Sequence, residues 1–86
     1  MEKISILIAD DHRLIRETWS QILNEVPRFK VIAACGNAED AVKLAGENRP
    51  DVILMDINMP PFSGLEATQR ILKISPGSKI IGVSVY

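Results

Sequence analysis

Two short apolar runs, Ile4-Ser5-Ile6-Leu7-Ile8-Ala9 and Val52-Ile53-Leu54-Met55, both end in acid: Asp10 and Asp11 follow the first and Asp56 follows the second. Both runs are rich in β-branched residues and free of Gly and Pro, which is how strands buried on both faces of a parallel sheet read. If the two lie side by side at the centre of one sheet, their carboxyl ends coincide. Three carboxylates then meet in the crevice where open α/β sheets bind ligands. Like charges gathered in one place need a counter-charge.

The segments between and after these runs supply the rest of an alternating pattern. Leu14, Ile15, Trp19, Ile22, Leu23 and Val26 recur at steps of three and four, predicting an amphipathic helix that stops near Pro27. Val31 through Cys35 reads as a second strand. Asn37 then caps a helix whose inner side carries Ala41, Val42, Leu44 and Ala45 and which ends before Arg49-Pro50. After Asp56 comes a loop, Asn58-Met59-Pro60-Pro61-Phe62. Ser63 followed by Glu66 has the spacing of a capping box, so a third helix starts there, with Leu65, Thr68, Ile71 and Leu72 facing inward and Pro76-Gly77 punctuating its end. Lys79 through Val85 forms a fourth strand. Strand and helix alternating at this spacing imply right-handed crossovers, a parallel sheet and helices on both faces. The chain stops just after this apolar fourth strand, at Tyr86. A longer parent chain is therefore expected, or a partner or second copy covering the strand, because a bare apolar edge invites association.

Composition narrows the chemistry. With 86 residues, 47% hydrophobic and 24% charged, the chain is one small globular domain. A net charge of −1 gives no electrostatic footprint for nucleic acid. One cysteine, Cys35, and one histidine, His12, provide neither a disulfide framework nor a zinc quartet, and a reducing cytoplasmic setting is expected. No apolar run approaches the roughly 20 residues of a membrane helix. Dinucleotide and P-loop enzymes would need glycine-rich fingerprints after a strand, and none occurs. A phosphatase using an aspartyl nucleophile would want a second acid two residues on, where the chain has Asn58.

Oxygen ligands from Asp11 and Asp56, with Asp10 acting through water, describe a hard-cation site of the kind Mg2+ prefers. A carboxylate beside such an ion in an open crevice can itself attack a phosphoryl group and form an aspartyl phosphate. Taken singly, Asp10 and Asp11 also read as helix caps and Asp56 as a turn residue. Their coincidence at two strand ends favours the chemistry. His12 is expected in the exposed first turn of the first helix without a role. Cys35 is expected to pack as a small hydrophobe, and Trp19 to pack in the core.

Asp10-Asp11 after the first strand, Met55-Asp56-Ile57-Asn58-Met59-Pro60 after the third, Gly64 opening the third helix and Ser84 closing the fourth strand resemble the receiver domain of two-component response regulators. The resemblance runs from residue 3 to residue 85. It implies a flavodoxin-like doubly wound parallel sheet, truncated after its fourth strand, with the fourth helix, fifth strand and fifth helix absent. It further implies that Asp56 accepts phosphate from a partner histidine kinase. Mg2+ would be held by Asp11, Asp56 and the backbone carbonyl of Asn58, with Asp10 acting through water, and the Ser84 hydroxyl would turn toward the bound phosphoryl group. The run Ile8-Ala9-Asp10-Asp11-His12 is most similar to receivers of transcription regulators with a C-terminal LuxR-type helix-turn-helix domain. The lysine and the switch aromatic of the family's fifth strand have no counterpart at any position. The alternative reading is a receiver-like interaction module that works without phosphorylation.

Overall fold

The computed structural model describes residues 2–61 and 63–83. Strands β1 (Ile4–Ala9), β2 (Phe29–Cys35), β3 (Val52–Asp56) and β4 (Lys79–Val83) alternate with helices α1 (Arg13–Asn24), α2 (Ala38–Asn48) and α3 (Gly64–Ile74). All strand pairs are parallel and the order across the sheet is β2-β1-β3-β4. This is the start of the flavodoxin-like order, whose direction of winding reverses between β1 and β3. The β2 strand begins two residues before the predicted Val31, because Phe29 and Lys30 pair with Ile4 and Ser5. The register against β1 slips between Ile6 and Leu7, leaving Ile32 as the extra residue and aligning Ala33 with Leu7.

Helix starts follow local chemistry. Asn37 Oδ1 accepts from the Asp40 N–H at 2.8 Å, and Glu39 and Asp40 place acid at the positive end of the α2 dipole. Ser63 Oγ accepts from the Glu66 N–H at 3.1 Å, but Glu66 Oε2 pairs with Arg70 at 2.7 Å, so only half of the capping box forms. Arg49 adopts a left-handed conformation, φ 44°, its N–H bonded to the Ala45 carbonyl, and Pro50 then bars any continuation of α2.

One face of the sheet is well covered. Leu7 and Ala9 of β1 and Ile53 and Met55 of β3 are buried against Ala38, Ala41 and Ala45 of α2, with Ala67 and Ile71 of α3 packed beside them. Alanines along α2 let that helix lie close to the strands and to α3. The inner side of α3 is Gly64, Ala67 and Ile71, with Thr68 half-buried. The predicted Leu65 and Leu72 instead point outward, 71% and 45% exposed, since α3 rests its small residues on α2. Cys35 is buried in this core, as expected, and burial pushes its thiol up to about 11.

The opposite face is half covered. Helix α1 lies over β1 and β2 and buries none of its residues fully. Beside it runs an apolar groove of about 510 Å3 lined by Ile6, Trp19, Leu23, Val52, Leu54 and Ile81. Trp19 therefore forms a groove wall at 39% exposure and is not a core residue, which corrects its sequence assignment: among the described residues, no helix covers β3 and β4 on that side.

Candidate functional site

The site follows from register. Ala9 pairs with Met55, so the next residues, Asp10 and Asp56, leave two adjacent central strands side by side at the point where the winding reverses. The Asp10 N–H continues the ladder to the Cys35 carbonyl at 3.0 Å, and the Ile57 N–H reaches the Val83 carbonyl at 3.3 Å. Arg16 from α1 donates to the Asp10 carbonyl at 2.7 Å and fixes the turn between β1 and α1. Asp10 and Asp56 are buried, with side chains 6% and 0% exposed, while Asp11 stands at the rim with 37%.

Neither Asp10 nor Asp11 caps α1. The N-cap residue is His12, which makes no side-chain capping bond; its N–H donates to Asp10 Oδ1 at 2.8 Å instead. The His12 ring turns into the acid cluster. Nδ1 lies 3.0 Å from Asp10 Oδ1, 3.1 Å from Asp11 Oδ1 and 3.8 Å from Asp56 Oδ2. The hydrogen bond with Asp10 and then the charge of Asp11 raise the imidazole above its ordinary value of 6.5. Sequence reasoning gave His12 no role. Its signal was adjacency to the acidic pair, but ring direction depends on a turn geometry that spacing does not encode.

Asp56 Oδ1 accepts from the Asn58 N–H at 3.0 Å, whereas Oδ2, fully buried, has no hydrogen-bond partner. An orphaned buried carboxylate oxygen carries a desolvation cost that no hydrogen bond offsets. Beside Asp10 and Asp11, and with their ligand atoms and His12 within 4.8 Å of one another, it marks a donor set suited to a hard divalent cation.

The loop after β3 is fastened from both sides. The Ala38 N–H donates to the Pro60 carbonyl at 2.8 Å, Met59 is buried, and the Gly64 N–H donates to the Ile57 carbonyl at 3.1 Å. A Cβ at Gly64 would stand 2.8 Å from Ile57 Cα and 2.9 Å from its carbonyl oxygen, so only glycine lets α3 begin this close to the turn that carries Asn58. The structure thus brings together Asp10, Asp11 and Asp56 and places Asn58 in the adjoining turn. Ser84 lies outside the described residues.

Comparison with known proteins gives a consistent result. The family model described as "Response regulator receiver domain" matches residues 6–86. The transcriptional regulatory protein DegU of Brevibacillus brevis is 45% identical over 84 residues, which cover 98% of this chain and 36% of that protein. The response regulator domain of Thermotoga maritima CheB superposes with a TM-score of 0.91 at 36% identity, covering 96% of this chain and 61% of that one. A DNA-binding response regulator of the LuxR family from Staphylococcus aureus superposes with a TM-score of 0.87 at 34% identity, covering 96% of this chain and 69% of the other. The chain spans about a third of the length of its DegU relative. Among the described residues, no helix is long and apolar enough to cross a membrane.

Proposed function

Since this chain belongs to the response regulator receiver domain family, a family of two-component signalling domains, we propose that Asp56 is its phosphoacceptor and that a histidine kinase supplies the phosphoryl group. The observation that carries the reading is the Asp56 carboxylate itself: buried at the sheet's switch point, one oxygen oriented by the Asn58 N–H and the other without a partner. Such a carboxylate is held in place yet keeps lone pairs free for bonding.

In the proposed reaction an oxygen of Asp56 attacks phosphorus while the P–N bond to the kinase's phosphohistidine breaks. The phosphoryl group moves to the carboxylate and the imidazole nitrogen keeps the bonding pair. Asp11, Asp56 and the backbone carbonyl of Asn58 would hold Mg2+, with Asp10 acting through water. When bound, Mg2+ neutralises charge on the transferred oxygens. This chain's own residues position the nucleophile: the Asn58 N–H orients it, and it shares a small cavity with the apolar Ile8, Ala9, Leu54 and Val83. We assign the Ser84 hydroxyl to sensing the phosphoryl group. In the longer regulator of which these residues form the receiver, phosphorylation would shift the balance of inactive and active states and thereby control a DNA-binding transcriptional output domain. This segment itself does not contact nucleic acid in the proposed scheme, and its net charge of −1 accords with that.

Trp19 shares a small cavity with Asp10 and Asp56, so its fluorescence reports on the cluster. Adding Mg2+ should give a saturable change, and a small acyl phosphate should then add one phosphoryl group by intact mass. Both are expected to disappear in Asp56→Ala. A phosphoryl adduct that persists in Asp56→Ala would refute the assignment.

A further inference from the structure

The His12 ring adds a nitrogen donor to what is otherwise an all-oxygen site. Its Nδ1 stands 3.0 and 3.1 Å from the nearest oxygens of Asp10 and Asp11 and 3.8 Å from the unpartnered Oδ2 of Asp56. Adjacent ligands on an octahedral ion with bonds of about 2.1 Å lie roughly 3.0 Å apart, and opposed ligands roughly 4.2 Å. With Asp10 acting through water, the comparison rests on Asp11, whose separation of 3.1 Å matches the first value, and on Asp56, whose 3.8 Å falls between the two. These are the hydrogen bond and ion pair that the ring makes with the carboxylates, and their lengths also suit a shared coordination sphere once Nδ1 has lost its proton. The buried Asp56 Oδ2 is the independent sign that something beyond protein atoms belongs among these donors.

Resting on the reading that the three carboxylates hold a divalent cation, we propose that His12 Nδ1 is a further ligand of that site and adapts it to a borderline transition-metal ion of the Mn2+ to Zn2+ series. Mg2+ takes oxygen donors and retains water, so it gains little from an imidazole. Ions later in the series bind imidazole well, and their affinity rises along it toward copper. His12 suits this role: the ring is 46% exposed, so it can rotate within the mouth of the site as an ion enters, while its backbone is anchored by the N–H bond to Asp10. A water molecule can replace Nδ1 around Mg2+ without disturbing the carboxylates.

His12 is the only histidine of the chain and Cys35, the only cysteine, is buried in the core, so a nitrogen-ligand signal has one source. The test uses Co2+ and Mg2+ separately in weakly alkaline buffer, with the native chain, His12→Asn and Asp56→Asn. Expected are Co2+ visible bands of a nitrogen-containing site, a loss of Co2+ affinity of about tenfold or more in His12→Asn, and no change in Mg2+ affinity. With Zn2+, the 15N resonance of His12 Nδ1 in the native chain should shift as that of a metal-bound nitrogen, a readout that needs no variant. Unchanged Co2+ affinity and bands in His12→Asn, with Nδ1 unshifted by Zn2+, would overturn the proposal while saturable Mg2+ binding leaves the receiver reading intact. Failure of both ions to bind the native chain, or binding that survives in Asp56→Asn, would remove the cation site and this proposal with it.

Discussion

At the residue scale the decisive fact is that the cluster is unfavourable without a cation. Asp56 Oδ2 is buried and unpartnered beside two other carboxylates, a local cost of about 1–3 kcal/mol for an unsatisfied group of this kind. Neutralising it in Asp56→Asn should therefore stabilise the cation-free chain by about 1–3 kcal/mol, because the amide can donate to the neighbouring carboxylates. Chemical denaturation with and without Mg2+ checks this: Mg2+ should raise the midpoint of the native chain and leave the variant unmoved. A destabilised variant in cation-free buffer would contradict the account. The acid triad was legible in sequence because all three acids follow strand-like runs. The inward turn of His12 was not, since it depends on the Asx-type bond between its N–H and Asp10.

At the element scale the site depends on strands entering the sheet in a fixed register, and Asp51 helps set it. Its carboxylate accepts from the Ser5 N–H at 2.8 Å and from the Ser5 hydroxyl at 3.0 Å, while the Asp51 N–H donates to Ser5 Oγ, tying the start of β3 to β1. The Ser5 N–H bond, then the hydroxyl bond, hold this carboxyl below its ordinary value of 3.8. A lowered value in the folded state favours folding while the group is ionised. That contribution is complete above 3.8 and fades as the pH falls through the folded-state value. Asp51→Asn should thus destabilise the chain near neutral pH, with the difference from the native protein shrinking on acidification through this window. Urea denaturation across the range tests it; a difference independent of pH would argue against the tie. Strand and helix order were readable from periodicity and caps. The inner side of α3 was not: Leu65 and Leu72 carry the strongest apolar signal in that helix, yet the close packing of α3 on α2 selects Gly64, Ala67 and Ile71.

At the scale of the whole molecule, stability rests on one well-filled layer between the sheet and α2 with α3. Ile53 is fully buried there, and Ile53→Ala should cost about 2–5 kcal/mol. Ile81, half exposed on the edge strand, should lose less than about 0.5 kcal/mol on the same change, measured by the same denaturation. Similar losses at both positions would mean that the two faces are more alike than the structure describes. This asymmetry also explains Trp19: an apolar stripe in sequence says which side of α1 turns inward, not whether the sheet beneath is covered. The winding reversal between β1 and β3 places the acids of both strand ends in one crevice, and the proposed chemistry rests on that arrangement. The most direct test is to treat the chain with Mg2+ and an acyl phosphate, reduce the product with borohydride, which converts an aspartyl phosphate to homoserine, and map the peptides. The account predicts homoserine at position 56 alone and only when Mg2+ is present; homoserine at position 10 or 11, or none at any position, would contradict it.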